Sequence, residues 1–365
     1  MSQAEKALEQ LSGVVATKYW HQLDDGRVQC DLCPRFCKLH EGQRGLCFVR
    51  ANQDDQLVLT TWGRSSGFAI DPIEKKPLNH FLPGTPVFSF GTAGCNLACK
   101  FCQNWDISKS REMDSLMALA SPEMIAQKAR ELNCRSVAYT YNDPVIFHEY
   151  AIDVAQACRE QRIKNVAVTA GYVCPEPRRE FYHYMDAVNV DLKAFTERFY
   201  HKVTGSHLQP VLETLQYIHD ETNVWMELTT LLIPGENDSE AEINEMTQWV
   251  VENLGADVPM HFSVFHPDWK MMDRSSTPPE VVIKARKIAL NNGIHHAYVG
   301  NMHDKEGDST WCHHCGALLI ERDWYELKHY LITSEGKCPQ CATSCVGFFE
   351  ESPGDWGASR VSVSL

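Results

Sequence analysis

Between residues 86 and 302 the chain alternates short apolar or β-branched runs with segments of helical periodicity. The runs fall at 87–90, 136–140, 165–169, 187–192, 224–233, 260–265 and 297–299. Each has the length and composition of a buried strand. Ser121-Pro122-Glu123 carries an N-cap serine, a proline at the first helical position and an acid in the first turn, so a helix is expected to start there and run to about 132. Residues 144–161, 208–219, 239–253 and 278–292 repeat their apolar positions at helical spacing. Strand, helix and strand in alternation imply right-handed crossovers and a parallel sheet. Six or seven such units predict an α/β fold, a partial or complete (β/α) barrel, with a doubly wound open sheet as the competing architecture. In either, ligands sit at the C-terminal ends of the strands.

The pattern is different on both sides. Residues 1–85 are expected to be irregular: a helix near the start, a cysteine knuckle, then a hydrophobic stretch. Residues 303–365 are cysteine-bearing and loop-rich. The expected organisation is therefore 1–85, 86–302 and 303–365, a barrel with a cysteine-rich metal-binding module at each end. The 365 residues are 44% hydrophobic and 22% charged, an ordinary globular composition. Formal charge is −14 with no strong basic run, which argues against a nucleic-acid partner. No apolar run reaches a membrane span, and the opening residues lack the apolar core of a secretory signal, so a cytoplasmic protein is expected.

Fifteen cysteines change the picture, because twelve of them are clustered. In a reducing compartment such clusters read as metal sites rather than disulfides. Within GTAGCNLACKFCQNW (91–105), Cys95, Cys99 and Cys102 are spaced C-x-x-x-C-x-x-C just beyond the first strand. A 4Fe–4S cluster ordinarily takes four cysteines. A loop that offers three leaves one iron open, and an open position is how a metal centre admits a reactant. S-adenosylmethionine (SAM) fits that position through its amino and carboxylate groups. A structural zinc knuckle with a distant fourth ligand is the competing reading.

The C-terminal pairs CHHC (312–315) and CPQC (338–341) have zinc-ribbon or rubredoxin-like spacing, so Cys312, Cys315, Cys338 and Cys341 are expected to hold zinc or iron. Cys345 is a spare that could replace one of them, and His313 and His314 are lesser candidates. Cys30, Cys33, Cys37 and Cys47 offer four more thiolates for zinc or an auxiliary 4Fe–4S cluster that relays electrons. Their spacing does not decide, and the reading leans to zinc or another structural site. Asp71, Glu74, Lys75, Lys76 and His80 form a polar group before the first strand, read as a solvated face in preference to a cap on the barrel mouth.

These motifs resemble the radical SAM superfamily, and most closely its branch related to pyruvate formate-lyase activating enzymes. Within it the sequence is similar to the radical SAM component of the AmmeMemoRadiSam system. The likeness rests on CDLCPRFC with GQRGLCFVR (30–50), DPIEKKPLNHF (71–81), CNLACKFCQNW (95–105), AYTYNDP (138–144), NVDLKAF (189–195), TTLLIPGEND (229–238), HFSVFHPDWKM (261–271) and YVGN (298–301). It implies a partial barrel of the radical SAM type, a 4Fe–4S cluster on Cys95, Cys99 and Cys102, and SAM as cosubstrate. It implies that Phe101 packs on the adenine, that Asp191 and Lys193 hold the ribose and carboxylate, and that His261 touches the ribose. Tyr141, Asn142 and Asp143 stand where relatives carry a Gly-Gly-Glu-Pro type motif near the SAM amino group. Here the glycine pair is absent and an aspartate replaces the glutamate. Thr169 to Tyr172 could line the same cavity. The implied partners are a reductant such as flavodoxin or ferredoxin, a protein or peptide substrate, and Memo-like and AMMECR-like proteins. Radical modification of a small molecule and a non-enzymatic, metal-stabilised binding scaffold are the alternatives.

Overall fold

A computed structural model describes residues 13–109 and 118–365. The helix expected near the start of the chain lies outside the described residues. Seven parallel strands carry the core: β1 (Pro86–Phe90), β2 (Ser136–Tyr139), β3 (Lys164–Thr169), β4 (Ala187–Asp191), β5 (Trp225–Leu232), β6 (Met260–Val264) and β7 (Ala297–Gly300). Each pairs in parallel with the next in chain order. A doubly wound sheet would reverse direction at a switch point. Strand order here never reverses, so the sheet curls as a partial barrel.

Helices connect the strands on the outside: α1 (Pro122–Glu131), α2 (His148–Glu160), α3 (Pro175–His183), α4 (Gln209–Glu221), α5 (Glu240–Leu254) and α6 (Pro279–Asn291). The caps follow the sequence. Ser121 Oγ accepts from Met124 N–H and Ser239 Oγ from Glu242 N–H. The strand and helix spans match the sequence reading to within a few residues, except that residues 144–147 form a 3₁₀ turn ahead of α2. Sequence reading missed α3. It buries only Pro177, Phe181 and Tyr182, too few apolar positions to register a period.

The sheet is extended antiparallel at the β1 edge by Phe68–Pro72, which is paired in turn by Val361–Val363 from the far end of the chain. Among the described residues no pairing links β7 to this edge, so the barrel is open there. The C-terminal module, a three-stranded sheet of Thr310–Trp311, Leu318–Asp323 and Glu326–Tyr330, crosses the opening. From it the buried Arg322 donates to Asn79 O at 2.7 Å, and its Nε lies 3.8 Å from Glu74. On the other side Tyr298 of β7 contacts Thr310 at 2.8 Å. Two small antiparallel sheets make up the N-terminal region and bring Cys30 and Cys47 against the barrel.

Candidate active site and metal centres

A cavity of about 600 Å³ opens at the C-terminal ends of the strands. The loop after β1 enters it with Cys95, Cys99 and Cys102. Two glycines set the loop's path. A Cβ at Gly91 would fall 2.3 Å from Thr140 O, and one at Gly94, where φ is +84°, would fall 1.9 Å from Cys47 O. Asn142 then ties the loop down, donating to Gly94 O at 2.8 Å and accepting from Thr92 N–H at 3.3 Å. Asn96 donates to Tyr172 O at 2.9 Å, and its own carbonyl accepts from Arg35 Nε at 2.6 Å.

The three sulfurs belong to no group of ligand atoms lying within 4.8 Å of one another, and the cavity holds no fourth cysteine among the described residues. A single zinc at Zn–S distances of about 2.3 Å would draw its thiolates to roughly 3.8 Å apart. The wider spread fits a cluster in which each thiolate takes a different iron. Leu97 N–H points at Cys95 Sγ at 3.5 Å. Burial pushes the Cys95 thiol up to about 12, and it raises Cys99 too, where the ammonium of Lys193 works in the opposite direction. Bound iron removes that cost by making the thiolate a ligand.

Every residue expected to contact SAM lines this cavity: Phe101, Tyr141, Asn142, Asp143, Asp191, Lys193 and His261. Their present partners differ. Lys193 Nζ sits 2.8 Å from Asp191 and 5.9 Å over the ring of Phe101. Burial disfavours its ammonium, but Asp191 and the nearby Cys99 outweigh burial and raise its pKa. Asp143 uses its carboxylate within the fold, accepting from Thr169 Oγ1 at 3.0 Å, Ala170 N–H at 2.9 Å and Val145 N–H at 3.1 Å. Tyr141 adopts a positive φ of 71° and donates to Asp71 at 3.1 Å. His261 lies inside β6 rather than beyond it, buried, with Nε2 2.7 Å from Glu227. Glu227 also accepts from the backbone N–H of Asn79 and His80. Burial opposes the Glu227 carboxylate, yet His261, with smaller contributions from His80 and the Trp225 indole, holds it down at about 2. Thr169 and Ala170 reach the cavity, whereas Gly171 and Tyr172 do not line it.

The solvated face expected of residues 71–80 is overturned. Asp71, Glu74, Lys76 and His80 are buried, and only Lys75 is exposed. Asp71 and Lys76 neutralise one another at 2.6 Å, which is how the fold tolerates their burial. Sequence reading also missed Arg322, Trp324, Tyr325 and Arg360, which wall the cavity from the C-terminal region. No spacing signal links them to the cysteine loop more than two hundred residues away.

The C-terminal cysteines behave differently from the loop. Cys312, Cys315, Cys338 and Cys341 bring their sulfurs within 4.8 Å of one another, with two pairs 3.6 Å apart. That is the geometry of one tetrahedral ion. The hydroxyl and backbone N–H of Thr343 hold the Cys341 thiol down at about 6. Cys345 does not join the set. It sits between His80 and His296, 3.7 Å from a nitrogen of each. His313 stacks on His295 instead of facing the sulfurs.

Comparison with known proteins agrees with this geometry. Residues 90–246 match the family model described as "Radical SAM superfamily". A Methanocaldococcus jannaschii protein, "Uncharacterized protein MJ0808", is 39% identical over 324 residues, covering 88% of this chain and 96% of its own. The "Pyruvate formate-lyase-activating enzyme" of Clostridium pasteurianum is 23% identical over 170 residues, 44% of this chain and 67% of its own. A solved radical SAM methyltransferase from Sphaerobacter thermophilus covers 82% of this chain and 81% of its own at 15% identity and a TM-score of 0.49. The chain belongs to the radical SAM superfamily. Membership implies a 4Fe–4S cluster and SAM, and the cysteine loop fits both. No helix among the described residues is long and apolar enough to cross a membrane.

Proposed function

We propose that this chain reductively cleaves SAM and uses the resulting radical to abstract hydrogen from a protein or peptide. The observation that carries the reading is the cavity that presents three widely spread thiols, with Lys193 and Asp191 beside them. When bound and reduced, the cluster supplies the electron that splits the SAM sulfonium into methionine and a 5′-deoxyadenosyl radical. The chain's own residues bind and orient. Lys193 offers a partly buried ammonium to the SAM carboxylate, a charge-assisted contact. Asp191 is suited to the ribose hydroxyls, Phe101 to the adenine face and His261 to the ribose. Asn142 positions the cysteine loop, and Asp143 fixes the ends of β2 and β3. Asp143 therefore acts on SAM at most through the backbone it holds. Tyr141 joins the Asp71–Lys76 pair to the cavity wall.

The protein or peptide substrate is inferred from relatives named as activating enzymes. A small-molecule substrate is favoured by a different observation. The C-terminal module puts Arg322, Trp324 and Tyr325 across the barrel's open side, narrowing the way in. The reading extends to a one-electron donor such as flavodoxin or ferredoxin, to zinc in the C-terminal set, and to a cytoplasmic setting. It also extends to membership of the AmmeMemoRadiSam group, with Memo-like and AMMECR-like partners. Anaerobic reconstitution with iron and sulfide, reduction, and assay for 5′-deoxyadenosine test its centre. Wild type is expected to release 5′-deoxyadenosine, and Cys99→Ala to lose both cluster iron and the product. A fully loaded cluster that leaves SAM intact would end the enzymatic reading.

A further inference from the structure

We propose that Cys30, Cys33, Cys37 and Cys47 hold a polynuclear iron–sulfur cluster of the 4Fe–4S kind rather than a single zinc ion. The molecule contains its own standard for each alternative. The C-terminal thiols lie as close as one ion demands, with all four sulfurs within 4.8 Å of one another. The four N-terminal thiols line one small cavity, yet no three of their sulfurs meet that limit among the described residues. In this they match the loop of Cys95, Cys99 and Cys102. A zinc tetrahedron, with sulfurs roughly 3.8 Å apart, asks for the close approach that the C-terminal set has and this set lacks. A cluster that gives each thiolate its own iron is large enough.

Two further features fit a cluster here. Gly45 leaves room at its edge, since a Cβ there would lie 3.7 Å from Cys47 Sγ and 3.8 Å from Cys37 Sγ. The guanidinium of Arg50 is buried beside Cys30 and Cys47 and anchored by Glu149 and by Ile146 O at 3.0 Å. A buried cation next to the thiols repeats the placing of Lys193 next to Cys99. The site also shares a wall with the first loop. Asn96 lines its cavity, and the backbone at Cys47 packs directly on Gly94.

The test uses the full chain. In Cys95→Ala/Cys99→Ala/Cys102→Ala, reconstituted anaerobically, acid-labile sulfide is expected at about four per chain. Mössbauer and reduced-state EPR spectra should be those of a 4Fe–4S cluster. Zinc at this site with no sulfide overturns the proposal. Should the triple variant fail to fold, Cys37→Ala/Cys47→Ala keeps the loop intact. Its sulfide should then fall from about eight per chain in wild type to about four, and the magnetic broadening between two neighbouring reduced clusters should disappear. Wild type and this variant both holding about four would count against the proposal. Loss of the loop's SAM-sensitive EPR signal in wild type would instead count against the proposed function, so the two failures are separable.

Discussion

Lys193, which the proposed function assigns to the SAM carboxylate, is held in place by its neighbours. Its side chain is partly buried, with the ammonium held by Asp191 at 2.8 Å and drawn towards Cys99. A hydrogen bond to a charged group contributes roughly 1.5–3 kcal/mol. Lys193→Met is therefore expected to weaken SAM binding about tenfold to a hundredfold, read by equilibrium dialysis, while iron content stays near that of wild type. An unchanged affinity would assign the carboxylate to another residue. Lys193 was legible because it lies two residues from Asp191 in a local motif at a strand end. Lys76 was not. A short run of acids and lysines ordinarily faces water, and only the tertiary pairing of Lys76 with Asp71 and the packing of Tyr141 over both show that this one is buried.

Elements were legible where burial imposes a period. The parallel strands are buried on both faces and read as nearly continuous apolar runs, so all seven were visible. The strand Phe68–Pro72 was hidden because its register depends on two partners, β1 and the distant Val361–Val363. Helix starts were visible where a cap chemistry marks them. Ser121→Ala should cost about 1 kcal/mol of stability through the lost bond to Met124 N–H, read as a lower urea midpoint of the anaerobic holoprotein. Its iron content should not change, because α1 carries none of the clustered cysteines. Gly94→Ala should do the reverse of sparing the site. Its positive φ and the 1.9 Å approach to Cys47 O mean that a methyl group must push the loop off the N-terminal region. Iron bound at the loop should fall severalfold. Iron content equal to wild type would show that the loop's path is set elsewhere.

At the scale of the whole molecule, the barrel's open side is closed by charge placed in a buried setting. Glu74 lies under the C-terminal module, accepting from Gly84 N–H at 2.7 Å and facing Arg322 at 3.8 Å. Burial raises its carboxyl to about 7, against the pull of Arg322 and Gly84. An unfolded glutamate releases its proton near 4.5. Between these values the folded chain keeps a proton that the unfolded chain has lost, so stability falls as pH rises through that window and the loss is complete above about 7. One such group gives a slope of at most about 1.4 kcal/mol per pH unit. Lys76 acts in the opposite sense at higher pH. Burial lowers it to about 8 from 10.5, so the folded chain gives up its proton first and stability recovers as pH rises from about 8 to 10.5. Glu74→Gln keeps the size and removes the titration. Buried Asp308, also raised to about 7, adds a decline of the same sign, so denaturant midpoints measured at pH 5, 6 and 7 at constant ionic strength should fall less steeply in Glu74→Gln than in wild type. Parallel declines in the two proteins would mean that the pH dependence comes from other groups and that Glu74 is already ionised beneath Arg322.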